Sequence, residues 1–91
     1  EYSLEQNYPN PFNPTTTISF SLPQSGFVTL AVYNILGQEV KMITDGQMEA
    51  GAHRVEWNGT DNNGTEVGSG IYFYRLISDG FSDSKKMTLI K

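Results

Sequence analysis

Through most of this chain apolar and polar residues take turns one by one, in short runs stopped by turn residues. Ile18, Phe20 and Leu22 alternate with Thr17, Ser19 and Ser21, and Val28, Leu30 and Val32 alternate with Thr29 and Ala31. Val55 and Trp57 alternate with Arg54 and Glu56, and Tyr72, Tyr74 and Leu76 with Ile71, Phe73 and Arg75, while Met87 shares a face with Leu89. A period of two puts every second side chain on one face of a strand, and no stretch holds a helical period. Pro23-Gln24-Ser25-Gly26, Asn34-Ile35-Leu36-Gly37, Glu49-Ala50-Gly51 and Ser78-Asp79-Gly80 supply the turns. A short strand is expected over Glu39–Ile43, with Val40 and Met42 on its core side, and Asn58 to Gly64 reads as a polar loop. The pattern predicts an all-β fold, an immunoglobulin-like or fibronectin III-like antiparallel β-sandwich of about seven strands. Its inward set is Ile18, Phe20, Val28, Leu30, Val32, Val55, Trp57, Tyr72, Tyr74, Leu76, Met87 and Leu89.

Ninety-one residues make one small domain, in which each large apolar residue carries a sizeable share of the core. The chain has no cysteine, so neither a disulfide nor a thiolate zinc site can support it. No apolar run approaches the length that spans a bilayer, and the first residues lack the basic-then-apolar order of a signal peptide. A start at Glu1 without methionine is expected of a fragment or a processed product. The net charge of −4 argues against nucleic acid as a partner, since phosphate binding needs a clustered positive footprint. The charge is uneven, however: three of the six basic residues fall among the last seven, as Lys85, Lys86 and Lys91. Lysines on an edge strand guard against edge-to-edge pairing; the same cluster can serve as a basic terminal tag.

All four prolines lie within the first 23 residues, three of them in Pro9-Asn10-Pro11-Phe12-Asn13-Pro14. Each fixes φ near −65°, removes a donor and biases the preceding residue towards extended geometry. Residues 1–14 therefore read as an extended lead-in, packed on the domain or linking to it, and residues 15–91 as the sandwich.

Little in the chain resembles catalytic machinery. His53 is the single histidine and lies at a strand start beside Gly51-Ala52, where a capping or exposed role is expected. No serine sits in a nucleophile elbow, and no glycine-rich loop precedes a helix. An enzyme is not expected, and neither is a cofactor. Asp61, Asn63 and Thr65 place oxygens at alternate positions, as in the opening of a calcium loop. The glycine comes too early for an EF-hand and the distal glutamate is missing, so Asn63-Gly64 is read as a turn. Asn58-Gly59-Thr60 and Asn63-Gly64-Thr65 fit the short glycosylation pattern, which turns often match by chance. Most of the eleven aromatics sit at alternating positions in the expected strands; Tyr2, Tyr8, Phe12 and Phe73 are less clearly accounted for, which keeps polysaccharide binding as a minor reading.

Taken in order, several segments resemble one family. Leu4-Glu5-Gln6-Asn7-Tyr8-Pro9-Asn10-Pro11-Phe12-Asn13-Pro14 opens the match, and Gly26-Phe27-Val28-Thr29-Leu30-Ala31-Val32-Tyr33-Asn34 and Gly37-Gln38-Glu39-Val40 continue it. Gly70-Ile71-Tyr72 and Lys85-Lys86-Met87-Thr88-Leu89-Ile90-Lys91 close it. The set resembles the type A C-terminal sorting domain of proteins exported by the type IX (Por) secretion system of Bacteroidetes. Trp57 to Val67 also resembles the immunoglobulin-like domain of the flagellar hook-capping protein. The first resemblance implies a sorting signal, expected at Gly70, Tyr72, Lys85, Lys86 and Lys91, on a parent that reaches the cell surface or medium through the periplasm. It implies an outer-membrane translocon, a sortase-like surface protease and an N-terminal cargo domain as partners, without membrane insertion. A carbohydrate-binding or spacer module of a secreted hydrolase, and a hook-cap-type assembly domain, are the alternatives.

Overall fold

The computed structural model describes every residue from Glu1 to Lys91 as seven strands in two sheets. These are β1 (Ser3–Leu4), β2 (Thr16–Leu22), β3 (Gly26–Tyr33), β4 (Glu39–Met48), β5 (Gly51–Trp57), β6 (Gly70–Ser78) and β7 (Phe81–Leu89). One sheet runs β1-β2-β5 and the other β4-β3-β6-β7, with every strand pair antiparallel. The two inner faces enclose the core, as the alternation requires.

Burial follows the period of two most cleanly in β2 and β6. Thr16, Ile18, Phe20 and Leu22 are buried in turn along β2, and Tyr72, Tyr74, Leu76 and Ser78 along β6. Trp57 is buried where β5 ends, tilted against Phe12 at 5.8 Å and edge-on to Tyr72 at 5.4 Å, the geometry that aromatic quadrupoles favour. Its indole N–H donates to the Thr60 carbonyl at 2.8 Å. Of the expected inward set only Val55 is half-buried, because β5 is an edge strand with no neighbour beyond it. The two-residue turn Asp79-Gly80 has φ of 47° and 82°, the left-handed geometry that matches the twist of a tight hairpin.

One element departs from the sequence reading. β4 does not stop at Ile43 but runs to Met48, and its register against β3 slips twice, leaving Val40 and Ile43 as extra residues. Each bulge resets the phase. Ile43, not Met42, therefore packs with Val40 against the core. The polar stretch Thr44–Gln47 stays in the strand because Leu30, Thr29, Val28 and Phe27 of β3 pair with it.

The lead-in, moreover, is part of the sandwich. Leu4 and Phe12 are in the core, and Asn7 is buried. The Asn7 amide N–H donates to the Tyr74 hydroxyl at 2.8 Å, and that hydroxyl donates to the Glu5 carbonyl at 2.6 Å. The Asn7 side chain donates to Thr16 Oγ1 at 2.9 Å, and Thr16 donates to the Pro9 carbonyl at 2.8 Å. A buried polar cluster is tolerable only when every member is satisfied, and no buried side-chain polar atom lacks a partner.

Candidate functional site

The first and last segments of the family resemblance, about 80 residues apart in sequence, meet along one edge. Phe12 bridges Leu89 in parallel: its N–H donates to the Thr88 carbonyl at 3.0 Å, and its carbonyl accepts from Ile90 N–H at 2.9 Å. The Asn10 side-chain oxygen takes the Thr88 N–H at 3.0 Å, and Gln6 Nε2 donates to the Lys86 carbonyl at 2.7 Å. The prolines explain why the lead-in supplies these bonds partly through side chains. Pro9, Pro11 and Pro14 have no N–H to offer a ladder; Gln6 supplies a side-chain donor in their place, and Asn10 adds a side-chain acceptor. The seam covers the C-terminal half of β7, an edge that would otherwise stand open.

The five residues expected to carry a signal fall in different places. Lys86 is exposed on the outer face of the larger sheet, opposite Phe73. Lys85, one residue earlier, lies on the inward row with Met87 and Leu89, half-buried and opposite Tyr74. The alternation that put Met87 inward puts Lys85 inward too, and the long side chain covers apolar surface with its stem. Lys91 lies at the end of the sheet. Its Nζ pairs with Glu66 at 3.1 Å and its N–H donates to Ser69 Oγ at 2.9 Å. Gly70 is beside it, starting β6 opposite Leu89. Tyr72 is a core residue whose hydroxyl donates to the Gly68 carbonyl at 2.7 Å. Burial raises its pKa, with the Lys91 charge opposing. Gly70, Tyr72 and Lys91 thus share one end of the fold, while Lys85 and Lys86 lie further along β7, so the five do not form a single patch.

Burial also pushes the Tyr74 pKa up to about 12, opposed by the Asn7 amide and reinforced by the negative charge of Asp83. The phenol stays neutral and can both donate to Glu5 and accept from Asn7, which holds the lead-in to β6.

Asp61, Asn63 and Thr65 make a turn. Asp61 Oδ1 accepts from Asn63 N–H and Thr65 N–H, both at 2.9 Å, and the Asp61 carbonyl accepts from Gly64 N–H at 3.0 Å. The neighbouring Asn62 binds β4 at its bulges: its side chain accepts from Met42 N–H at 2.9 Å and its amide donates to the Val40 carbonyl at 2.9 Å. His53 stacks on Phe20 at 5.4 Å and donates from Nε2 to the Glu49 carbonyl at 2.7 Å.

Of the four aromatics without a place in the sequence pattern, Phe12 is in the core and Tyr2 stacks on Phe81 at 4.7 Å. Tyr8 and Phe73 stand on different sheets. Tyr8, 81% exposed, flanks an open trough of about 670 Å³ floored by Thr17, Ser19 and Ser21.

The sequence matches the family model of the FlgD Ig-like domain over residues 7–79, a range that ends before β7. No curated protein matches the chain. Among solved structures, the dimeric latent PorU of Porphyromonas gingivalis superposes on 99% of this chain with a TM-score of 0.77 at 20% identity. FlgD of P. aeruginosa covers 87% of it with a TM-score of 0.64 at 27% identity, and 68% of that FlgD chain is matched. PorZ, an essential bacterial surface component of the type IX secretion system of P. gingivalis, covers 99% with a TM-score of 0.64 at 22% identity. The chain spans only 9% of the PorU chain and 11% of the PorZ chain.

Proposed function

This chain belongs to the FlgD Ig-like domain family, and we propose that it works as a C-terminal sorting module. In this role it directs a parent protein through the type IX outer-membrane translocon. A sortase-like surface protease then separates it from its cargo, which is attached to the surface or released. The observation that carries the proposal is the seam between the lead-in and β7. A translocon that accepts folded cargo must read a surface, and the two segments most specific to sorting domains form one only in the folded state, where Asn10, Gln6 and Phe12 bond to Thr88, Lys86 and Ile90. Likeness to PorU and PorZ over nearly the whole chain, β7 included, supports the same reading. The module needs no chemistry of its own, being the substrate of the protease.

A hook-cap-type assembly domain is the second reading, favoured by the family match itself and by the 27% identity to FlgD of P. aeruginosa. The test fuses three versions to a passenger bearing a signal peptide in a type IX-competent bacterium: this module, no module, and the immunoglobulin-like domain of a hook-capping protein. Surface delivery with this module alone supports sorting. Delivery with none, or equally with the hook-cap domain, removes the specific reading.

A further inference from the structure

We propose that the outer face of the four-stranded sheet is a self-association surface, on which a second copy of this chain docks about a two-fold axis parallel to the strands. The face is apolar at one end, with Arg75, which lies over the Tyr33 ring at 5.4 Å, as the charge at its centre. Ile71 and Phe73 of β6 are 41% and 37% exposed, and at the tip of the β3–β4 hairpin Ile35 and Leu36 are 71% and 77% exposed. Large apolar groups clustered at one end of a sheet mark a contact surface.

The identity of the occupant follows from the order of residues across the sheet. The register aligns Glu39 of β4 with Tyr33 of β3, Tyr33 with Phe73 of β6, and Phe73 with Lys86 of β7. The row reads acid, aromatic, aromatic, base. A two-fold axis between β3 and β6 reverses it onto itself: Glu39 meets Lys86 of the second copy, Tyr33 meets Phe73, and both contacts occur twice. The same axis carries the Ile35-Leu36 tip over Ile71 of the second copy. Within one chain, Glu39 and Lys86 lie three strand spacings apart, roughly 14 Å, and the one salt bridge of the chain is Lys91–Glu66. Neither rim charge has an opposite charge as partner within the chain, and Glu39, which accepts from Asn62 at 3.1 Å through Oε2, keeps its other oxygen for an outward one.

The extent of the face sets the strength. Three outward rows across all four strands and two more across a neighbouring pair, at about 4.8 by 6.7 Å per residue, enclose roughly 500 Å² per protomer. That makes about 1,000 Å² for the pair, the size of a weak, transient contact. A weak, concentration-dependent dimer is expected, with its two sheets packed in the aligned manner of a sandwich.

Sedimentation equilibrium of the 91-residue chain over a concentration series tests this. The wild type is expected to pass from its 10.1 kDa monomer to a dimer as concentration rises. Lys86→Glu alone and Glu39→Lys alone should each weaken dimerisation at least about tenfold by setting like charges opposite each other. The double variant, and an equimolar mixture of the two single variants, should restore it. Lys86 donates no side-chain hydrogen bond, so K86E carries the test even if E39K disturbs the Asn62 contact of Glu39 at 3.1 Å. A wild type monomeric at millimolar concentration overturns the proposal. A dimer indifferent to K86E also overturns it and moves the contact to another surface, such as the β5 edge.

Discussion

Phe12→Ala tests whether the lead-in is part of the fold. Phe12 is 2% exposed, packs on Trp57 at 5.8 Å, and its backbone exchanges two hydrogen bonds with the end of β7. Truncating a buried phenylalanine to alanine removes transfer energy and leaves a cavity, together about 3–5 kcal/mol. A domain of 91 residues has about 5–14 kcal/mol in all, so the loss is a large fraction. At about 5 °C per kcal/mol for this size, the melting midpoint by circular dichroism should fall about 15–25 °C. Phe12→Leu, closer in volume, should cost under about 1.5 kcal/mol and remain measurable if the alanine variant is too unstable. Ile35→Ala at the exposed hairpin tip should stay within about 0.5 kcal/mol of wild type. Amide exchange gives a second readout: Ile90 N–H, which donates to the Phe12 carbonyl, should lose protection in the alanine variant before the central amides of β6 do. A midpoint within about 3 °C of wild type would mean that Phe12 contributes no more than a surface residue. The lead-in would then be a tether lying on the sandwich.

Tyr74→Phe should destabilise by about 2–4 kcal/mol, because it strands both the Asn7 amide and the Glu5 carbonyl; chemical denaturation measures this. With the Tyr74 pKa raised from 10.0 to about 12 in the folded state, its contribution is complete below pH 10 and lost as pH climbs towards 12. An alkaline titration of stability should show a larger loss in wild type than in Tyr74→Phe, where only Tyr72, whose pKa burial also raises, still contributes. Asn62→Ala should cost about 1 kcal/mol and speed exchange at Met42, whose amide it holds. Millimolar calcium or a chelator should leave the melting midpoint unchanged, since Asp61 Oδ1 is already engaged by two backbone amides; a rise of several degrees with calcium would reassign Asp61, Asn63 and Thr65 as ligands.

Where alternation holds without a bulge, the sequence reads directly as structure. Ile18, Phe20 and Leu22, or Tyr72, Tyr74 and Leu76, need only a period of two to find the core. β4 resists the same reading because two bulges shift its phase, and because Thr44–Gln47 is strand only by virtue of β3 beside it. Phe12 has no periodicity around it at all. Prolines fix its neighbours, and its partners lie almost at the other end of the chain, so only the fold reveals that Trp57 receives it. The lysines show the limit for the candidate site. Composition marks Lys85 and Lys86 as a pair, yet adjacent residues on a strand face opposite ways, and only Lys86 faces open solvent. Tyr72 carries a further lesson: a residue in a recognisable motif can be there for packing, as its contact with Trp57 indicates.

The most direct test of the sorting role is the fraction of a passenger delivered to the cell surface by the intact module and by a version with Lys85, Lys86 and Lys91 all changed to alanine. Both should be shown beforehand to melt at matching temperatures, because the three substitutions remove surface or half-buried charge and one exposed ion pair. The account predicts surface delivery with the intact module and periplasmic accumulation with the alanine version. Equal delivery by the two would keep the sorting role and move its signal to Gly70 and its neighbours; delivery by a passenger that carries no module would contradict the account.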